Sequence, residues 1–181
     1  MAKNTGKRFE SDFKSSVPDE CLLIRLNDPP QSFGGCSARF SIKNPCDYLV
    51  FDSKRRMFIP LELKTTKYKS ISYEDVNIEK QSNKMIHKHQ IEGLTSFAKY
   101  KHCYPGFIFN FRDDDSCCER CYFQHINDFN DMVSNINKKS CNEIDILMYG
   151  AIKIEGYKKR TRYTWDINKL LEDILNKFYN S

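Results

Sequence analysis

Two short apolar segments separated by a basic turn constrain the fold of this chain more than any other feature. The segments are residues 48–51 and 58–64, with residues 52–56 between them. Side chains of a β-strand alternate between its two faces, so Glu62 and Lys64 share one face while the leucines beside them point into a core. The pattern therefore predicts an antiparallel hairpin that has two opposite charges above an apolar underside.

The predicted hairpin also determines where Asp47 lies. An antiparallel pair places the start of its first strand opposite the end of its second, so Asp47 is expected beside Glu62. Two neighbouring carboxylates repel each other unless a cation lies between them, and their oxygens suit Mg²⁺ or Mn²⁺. A lysine such as Lys64 positions water or stabilises charge on a phosphate at such a centre. These residue types indicate phosphodiester hydrolysis, and the alternative is an exposed Glu62–Lys64 ion pair without a catalytic role.

Hydrophobic periodicity and turn residues predict the remaining elements. Helices are expected over residues 4–16, 87–100, 127–136 and 166–178, with Asn127, Asp128 and Asp166 as caps. Strands are expected over residues 21–26, 105–111 and 121–125, and a last hairpin over residues 152–156 and 162–165. Residues 31–43 and 67–85 are expected to form loops. This order predicts an α/β fold with a central mixed β-sheet flanked by helices, in a single domain over residues 1–181.

Eight cysteines raise the question of a zinc site. Cys117, Cys118 and Cys121 contain one C-x-x-C pair, and zinc binding is the sharper hypothesis for it. The residues considered to complete such a site are Cys103, Cys141, His102 and His125. Because zinc sites usually show two paired elements, reduced thiols in a reducing compartment are the simpler interpretation.

Four motifs carry a resemblance to a known superfamily. They are residues 6–10, 44–48, 61–66 and 89–92, and they span roughly the first two-thirds of the chain. Their order and spacing resemble the PD-(D/E)XK nucleases, and within them the RecU-type Holliday junction resolvases and their phage-borne relatives. The resemblance implies a restriction-endonuclease-like core. RecU-type proteins carry an extended stalk between the first strand and the catalytic aspartate, and the corresponding connection in this chain is short.

The same resemblance implies roles for individual residues. Asp47 and Glu62 are expected to bind the divalent metal together with the backbone carbonyl of Leu63, and Lys64 is the expected catalytic lysine. Further members of the catalytic set are Glu10, as an additional acidic residue at the metal, and Gln90, as a glutamine near the active site. Mg²⁺ is the implied cofactor, Mn²⁺ is a substitute for it, and no small-molecule cofactor is expected.

Clusters of positive charge agree with a polyanionic partner. The chain has a formal net charge of +5, and its basic residues bracket the predicted catalytic strand. The predicted DNA contacts are Lys7, Arg39, Lys54, Arg55, Arg56, Lys67, Lys69 and Lys88. Arg39 belongs to the loop over residues 31–43, whose Phe33 and Phe40 are expected either to contact unstacked bases or to be part of a surface loop without a DNA role.

The implied activity is cleavage of four-way DNA junctions by symmetric paired nicks, carried out by a homodimer. The apolar face of the last helix is the candidate interface. Two alternatives stay open, namely a nuclease of the same fold that acts on duplex DNA in restriction or repair, and a non-catalytic DNA-binding or zinc module. A cytoplasmic location, in a bacterial or phage-infected cell, is expected because no secretory signal and no membrane-spanning apolar run is visible.

Overall fold

The computed structural model describes residues 5–27, 44–78, 83–113 and 118–179. Within these ranges the helices are α1 Thr5–Lys14, α2 Lys88–Phe97, α3 Ile126–Asn135, α4 Glu143–Met148 and α5 Ile167–Phe178. The strands there are β1 Cys21–Arg25, β2 Tyr48–Asp52, β3 Met57–Thr66, β4 Ser70–Ser72, β5 Gly106–Asp113, β6 Cys118–His125, β7 Ser140–Asn142, β8 Ile152–Ile154, β9 Gly156–Lys159 and β10 Arg162–Trp165. The segment containing Phe33, Arg39 and Phe40 lies outside the described residues, as does Cys117.

A six-stranded sheet forms the centre of the molecule, with the strand order β1-β2-β3-β5-β6-β8. Strand β3 pairs in parallel with β5, and the other neighbours in this sheet pair antiparallel. Two small ladders, β9 with β10 and β4 with β7, accompany it. The predicted α/β class, a mixed sheet flanked by helices, is confirmed.

Each face of the sheet is covered by its own helices because the strand residues alternate between two cores. One core packs α1 and α5 against odd-numbered residues of β3, such as Leu61 and Leu63. The opposite core packs α2 and α3 against Phe107 and Phe109 of β5. Register places Glu62 beside Phe107, so the acidic face of β3 looks toward α2. The predicted sharing of faces in this strand is confirmed.

The hairpin between β2 and β3 has the predicted antiparallel register. Tyr48 pairs with Leu61, and the main-chain N–H of Asp47 donates to the carbonyl of Leu61 at 3.0 Å. At the other end, buried Asp52 accepts hydrogen bonds from the backbone N and Nη1 of Arg55, at 3.0 and 2.7 Å. Although burial alone raises the pKa of Asp52, these bonds hold it below its ordinary value. The closed turn therefore fixes the register that brings Asp47 to Glu62.

The prediction of an irregular loop over residues 67–85 is wrong for residues 70–73. Strand β4 lies in this segment and pairs with β7, and the side chains of Ile71, Tyr73 and Ile86 are buried. The backbone N–H of Ile86 also bonds the carbonyl of Ser72 at 3.0 Å. A three-residue strand offers too few alternations to stand out from its polar neighbours, so local periodicity could not identify it.

Of three predictions near the end of the chain, two need correction. His125, and not Asn127 or Asp128, caps α3, because its side chain accepts from the backbone N of Asn127. The expected last hairpin does not pair residues 152–154 with residues 162–165. Strand β8 pairs with β6 in the main sheet, and β10 pairs with β9. The predicted cap at Asp166 is confirmed by its hydrogen bond from the N–H of Lys169 at 2.9 Å.

The apolar face of α5 is not available as an interface. Ile167, Leu170, Leu171 and Ile174 are buried in the core that α5 shares with α1. The prediction of a dimer interface on this face is therefore wrong, because the same residues hold the helix on its own sheet. Among the described residues, no helix combines the length and the apolar character needed to traverse a lipid bilayer.

Candidate active site

Three charged side chains meet where β2 begins and β3 passes it. The Oδ2 atom of Asp47 accepts a hydrogen bond from the backbone N of Leu63 at 2.8 Å. On the face of β3 that Glu62 and Lys64 share, Lys64 Nζ lies 2.8 Å from Glu62 Oε1. The residues predicted at positions 47, 62 and 64 are thus brought together at one point of the sheet, as the hairpin pattern requires.

Gln90 joins this group from the first turn of α2. Its Oε1 accepts a hydrogen bond from the backbone N of His87 at 2.9 Å, which completes a capping box at the helix start. Because the amide oxygen is used by the cap, the Nε2 group faces the sheet and donates to Glu62 Oε1. The cap therefore fixes both the helix start and the orientation of the amide that contacts Glu62.

Glu74 supports the same helix start, and its role was not predicted. The backbone N of Lys88 donates to Glu74 Oε2 at 2.7 Å, and His87 Nδ1 lies 3.1 Å from Oε1. The hydrogen bond from Lys88 holds the pKa of Glu74 below its ordinary value. Glu74 is 14 residues before the helix and lies in the segment mistaken for a loop, so no local signal in the sequence marks it.

Burial makes Glu62 an unusual carboxyl group. Its side chain is almost completely enclosed, with a residue exposure of 2%. The pKa of Glu62 is raised to about 7, chiefly by desolvation, because the raising effects of burial and of the nearby Asp47 outweigh the lowering effect of Lys64. A buried carboxylate beside a second carboxylate is stabilised by a cation that both can bind.

The oxygens at this point fit a small divalent cation. Mg²⁺ is commonly held by one or two carboxylates and completes its coordination with water and phosphate oxygens. Asp47 and Glu62 supply such a pair, and the backbone N–H of Leu63 donates to Asp47. The carbonyl of Leu63 as a third ligand stays a prediction from the resemblance described above. Hard oxygen donors without a thiol or an imidazole favour Mg²⁺ or Mn²⁺ over zinc.

Comparison with known proteins identifies a relative along nearly the whole chain. No family model matches the sequence. The SPbeta prophage-derived uncharacterized protein YotM of Bacillus subtilis (strain 168) is 33% identical over 194 residues, which cover 97% of this chain and 89% of YotM. This chain belongs to the YotM family. The solved structure of Hjc, a Holliday junction resolvase from Archaeoglobus fulgidus, aligns with 82% of this YotM-family chain and 95% of its own, at a TM-score of 0.46 and 16% identity.

Glu10 of this YotM-family protein is carried by helix α1. Helix α1 packs on the face opposite Glu62, and Glu10 Oε2 is 2.9 Å from Arg25 Nη2 on β1. Across the described ranges, no three side chains of His, Cys, Asp or Glu converge as a metal-binding group. The structure thus brings together Asp47 and Glu62, and it does not add Glu10 to them as a third carboxylate.

The predicted DNA contacts fall at three separate places. Lys54 and Arg56 are exposed on the hairpin turn, about 20 Å along β3 from Glu62 at the usual strand rise. Lys67 and Lys69 are exposed just beyond the other end of β3, whereas Lys7 is exposed on α1, across the sheet.

Two of the remaining predicted contacts are already engaged in ion pairs. The guanidinium of Arg55 is held by Asp52 at 2.7 Å and reaches Glu172 at 3.4 Å, so it serves the turn. Lys88, at the start of α2, lies 3.8 Å from Glu92.

The candidate zinc ligands do not gather in the part of the chain that the structure describes. Cys118 and Cys121 are three residues apart in β6 and therefore point to opposite faces. Cys121 is buried in the core under α1, and Cys141 is buried in the opposite core. His125 is engaged as the cap of α3, and burial lowers its pKa to about 4. The zinc hypothesis loses these ligands because the sheet separates them.

Proposed function

We propose that this protein is a divalent-metal-dependent DNA endonuclease that hydrolyses phosphodiester bonds. The observation that carries the proposal is the convergence of Asp47, Glu62 and Lys64, with Gln90 donating to the buried carboxylate. A carboxylate pair suited to Mg²⁺ beside a cationic side chain is an arrangement that supports phosphodiester hydrolysis. The motif resemblance to the PD-(D/E)XK nucleases supports the same reaction.

In the proposed reaction, water attacks phosphorus in line with the 3′ oxygen, which leaves, so that the product carries a 5′-phosphate. Asp47, Glu62 and the carbonyl of Leu63 would hold the metal. When bound, the metal supplies positive charge to the phosphate and lowers the pKa of a bound water. Lys64 orients the water or stabilises the additional negative charge on the phosphate. Gln90 keeps the Glu62 carboxylate in one orientation.

A non-catalytic DNA-binding module accounts less well for this site. Two adjacent carboxylates repel the phosphates of DNA, so a protein that only binds has no use for them. Burying the Glu62 carboxylate also costs free energy. A bound cation offsets this cost, and a protein that binds DNA without a metal lacks that compensation. The clustered carboxylates therefore favour turnover.

The proposed substrate is a four-way junction, which a homodimer cuts by paired nicks. Two-fold symmetry supplies two equivalent sites for two strands of the same polarity. In place of the buried α5 face, the edge strand β1 offers exposed Leu22 and Ile24 next to exposed Phe51 of β2. These side chains are the apolar surface that we assign to the dimer, and the cytoplasmic location is proposed with it.

Equal amounts of four-way junction, nicked duplex and linear duplex, incubated with protein and Mg²⁺, will test the substrate. We expect the junction to be cut in two strands of like polarity while the linear duplex stays intact. Denaturing gels of end-labelled strands provide the measurement, and EDTA provides the metal-free control. Faster cleavage of the linear duplex than of the junction would favour the restriction or repair alternative and reject the junction assignment.

Removing the Gln90 amide should slow the reaction without abolishing it. In Gln90→Ala the Glu62 carboxylate loses a donor that orients it, and groups that orient metal ligands typically contribute about 10–100-fold to activity or metal affinity. We expect single-turnover cleavage to fall by that factor, with part of the loss restored by higher Mg²⁺. Glu92→Ala, on the same helix but outside the site, is the matched control. Equal rates for both variants would remove Gln90 from the catalytic set.

A further inference from the structure

A basic cleft adjoins the far end of β3, beyond the proposed catalytic residues. Its volume is ≈ 600 Å³. The charged residues that line it are Lys67, Lys69, Arg112, Arg120 and Glu143, and its aromatic residues are Tyr68 and Phe111. Among the residues that the structure describes, four cationic side chains line the cleft with one carboxylate, and this excess of positive charge favours an anion.

The two arginines of the cleft are held in place by the sheet. Arg120 Nε donates to both carboxylate oxygens of Glu143 at 2.9 Å, and the hydroxyl of Tyr122 donates to the same carboxylate. Arg112 Nε donates to Thr65 Oγ1 at 3.1 Å. An arginine that is already oriented loses less conformational freedom when it binds a phosphate.

Tyr68 is the exposed aromatic residue of this cleft, at 68%, whereas Phe111, which also lines it, is buried. Its backbone N–H donates to Thr66 Oγ1 at 3.0 Å, which fixes the turn after β3, and Lys67 Nζ lies 5.6 Å from the ring centre. An exposed ring flanked by cations is the arrangement on which proteins stack unpaired bases, while the cations contact the backbone.

The distance between this ring and the proposed active site fits one bound strand. Tyr68 follows Lys64 by four residues, and because β3 ends at Thr66 and the chain turns there, the two residues lie at most about 13 Å apart along the chain. That length matches about four base steps of B-form DNA. A strand whose phosphate lies at Lys64 therefore reaches the cleft within a few nucleotides.

We propose that this cleft binds the DNA strand a few nucleotides from the cut and that Tyr68 stacks on an unpaired base there. The inference rests on the proposed function and assigns its substrate class, DNA that contains unstacked bases next to a duplex. In this arrangement the arginines and lysines contact phosphates and give affinity. Tyr68 gives the preference for unpaired DNA, since a paired base keeps its own stacking partners.

Binding measured without metal separates this inference from catalysis. The probes are a linear duplex and the same duplex with a single-stranded tail that contains 2-aminopurine, whose fluorescence changes on stacking. In EDTA, Tyr68→Ala is expected to weaken binding of the tailed probe about tenfold or more and to remove the fluorescence change. Tyr68→Phe keeps the ring and is expected to retain both properties. Binding of the fully paired duplex is expected to change less than about twofold, because stacking on an unpaired base is absent there.

The matched control is Tyr100→Ala, which removes an equally exposed ring, 69% accessible, from another part of the surface. Arg120→Gln is expected to weaken both probes alike and to lower the slope of log affinity against log salt by about 1. If Tyr68→Ala binds the tailed probe as tightly as wild type, the stacking inference is overturned, and Mg²⁺-dependent cleavage by wild type still supports the nuclease. Wild type that binds neither probe overturns both.

Discussion

Lys64→Ala is expected to lower the rate of Mg²⁺-dependent DNA cleavage by at least about 10²–10³-fold, the usual effect of removing one preorganised charge from a reaction centre. The ammonium group lies 2.8 Å from Glu62 and is mostly enclosed, so no other side chain can take its position easily. Affinity for DNA should change little, since many phosphate contacts share that task. Single-turnover cleavage and a separate binding assay in EDTA measure the two properties.

Two variants control this experiment. Lys101→Ala removes one exposed positive charge away from the site and should leave cleavage within about twofold of wild type, because one distant surface charge is largely screened. Lys64→Arg keeps the charge in a planar group that cannot reproduce the ammonium geometry, so it should recover little activity. Cleavage by Lys64→Ala at the wild-type rate would exclude the lysine, and with it the proposed reaction centre.

The part of the site carried by one hairpin was predictable from the sequence. Alternation in β3 separates Glu62 and Lys64 from the leucines, and a short turn leaves a single register that places Asp47 beside Glu62. These relations depend on residues close in sequence, so the alternation of apolar and polar residues and the length of the turn are enough to predict them. Gln90 was located through the motif resemblance, whereas the hydrogen bond that orients it follows from the helix cap.

Features that depend on distant pairing were not predictable in the same way. Strand β4 exists because β7, about 70 residues later, supplies its partner, and Cys141 Sγ contacts the carbonyl of Ile71 at that ladder. The basic cleft likewise combines residues after β3 with arginines of β5 and β6 and with Glu143 of α4. Neither arrangement leaves a periodic signal in its separate segments.

Glu10 shows how helix placement limits a prediction by motif. Residues on α1 belong to the core that contains Leu61 and Leu63, so α1 lies on the face away from Glu62. The order of the motifs along the sequence would be the same whichever face of the sheet α1 covered, so it could not predict the position of Glu10. Arg25, its ion-pair partner, is the last residue of β1; the strand prediction included this residue but did not indicate the direction of its side chain.

The buried carboxylate of Glu62 lowers the folding stability of the metal-free protein. Its carboxyl is enclosed, and its pKa is raised from 4.5 to about 7, chiefly by desolvation. In the metal-free protein, ionised Glu62 therefore destabilises the fold relative to the unfolded chain. Bound Mg²⁺ would reverse this, because a ligand that binds only the folded state adds to its stability.

Glu62→Gln is accordingly expected to abolish cleavage and to stabilise the metal-free protein at pH 8. Below pH 4.5 the wild-type carboxyl is protonated in both states and contributes no difference. Between 4.5 and about 7 the folded state holds more protons than the unfolded state, so wild-type stability falls as the pH rises through this window. At about 1.4 kcal/mol for each tenfold difference in acidity, the loss is on the order of 3 kcal/mol and is complete above pH 7.

Urea unfolding of wild type and Glu62→Gln at pH 5 and pH 8, in EDTA and then in Mg²⁺, measures this effect. The variant lacks the titrating group, so its advantage in unfolding free energy should be small at pH 5 and largest at pH 8. Added Mg²⁺ should raise the stability of wild type at pH 8 and leave the variant unchanged, because only the carboxylate completes the metal site. Glu92→Gln changes an exposed carboxyl of α2 and should show neither effect. If Mg²⁺ does not raise the stability of wild type at pH 8, Glu62 is not the metal-binding carboxylate. Equal stability of wild type and Glu62→Gln in EDTA at pH 8 would contradict the destabilisation by the buried charge.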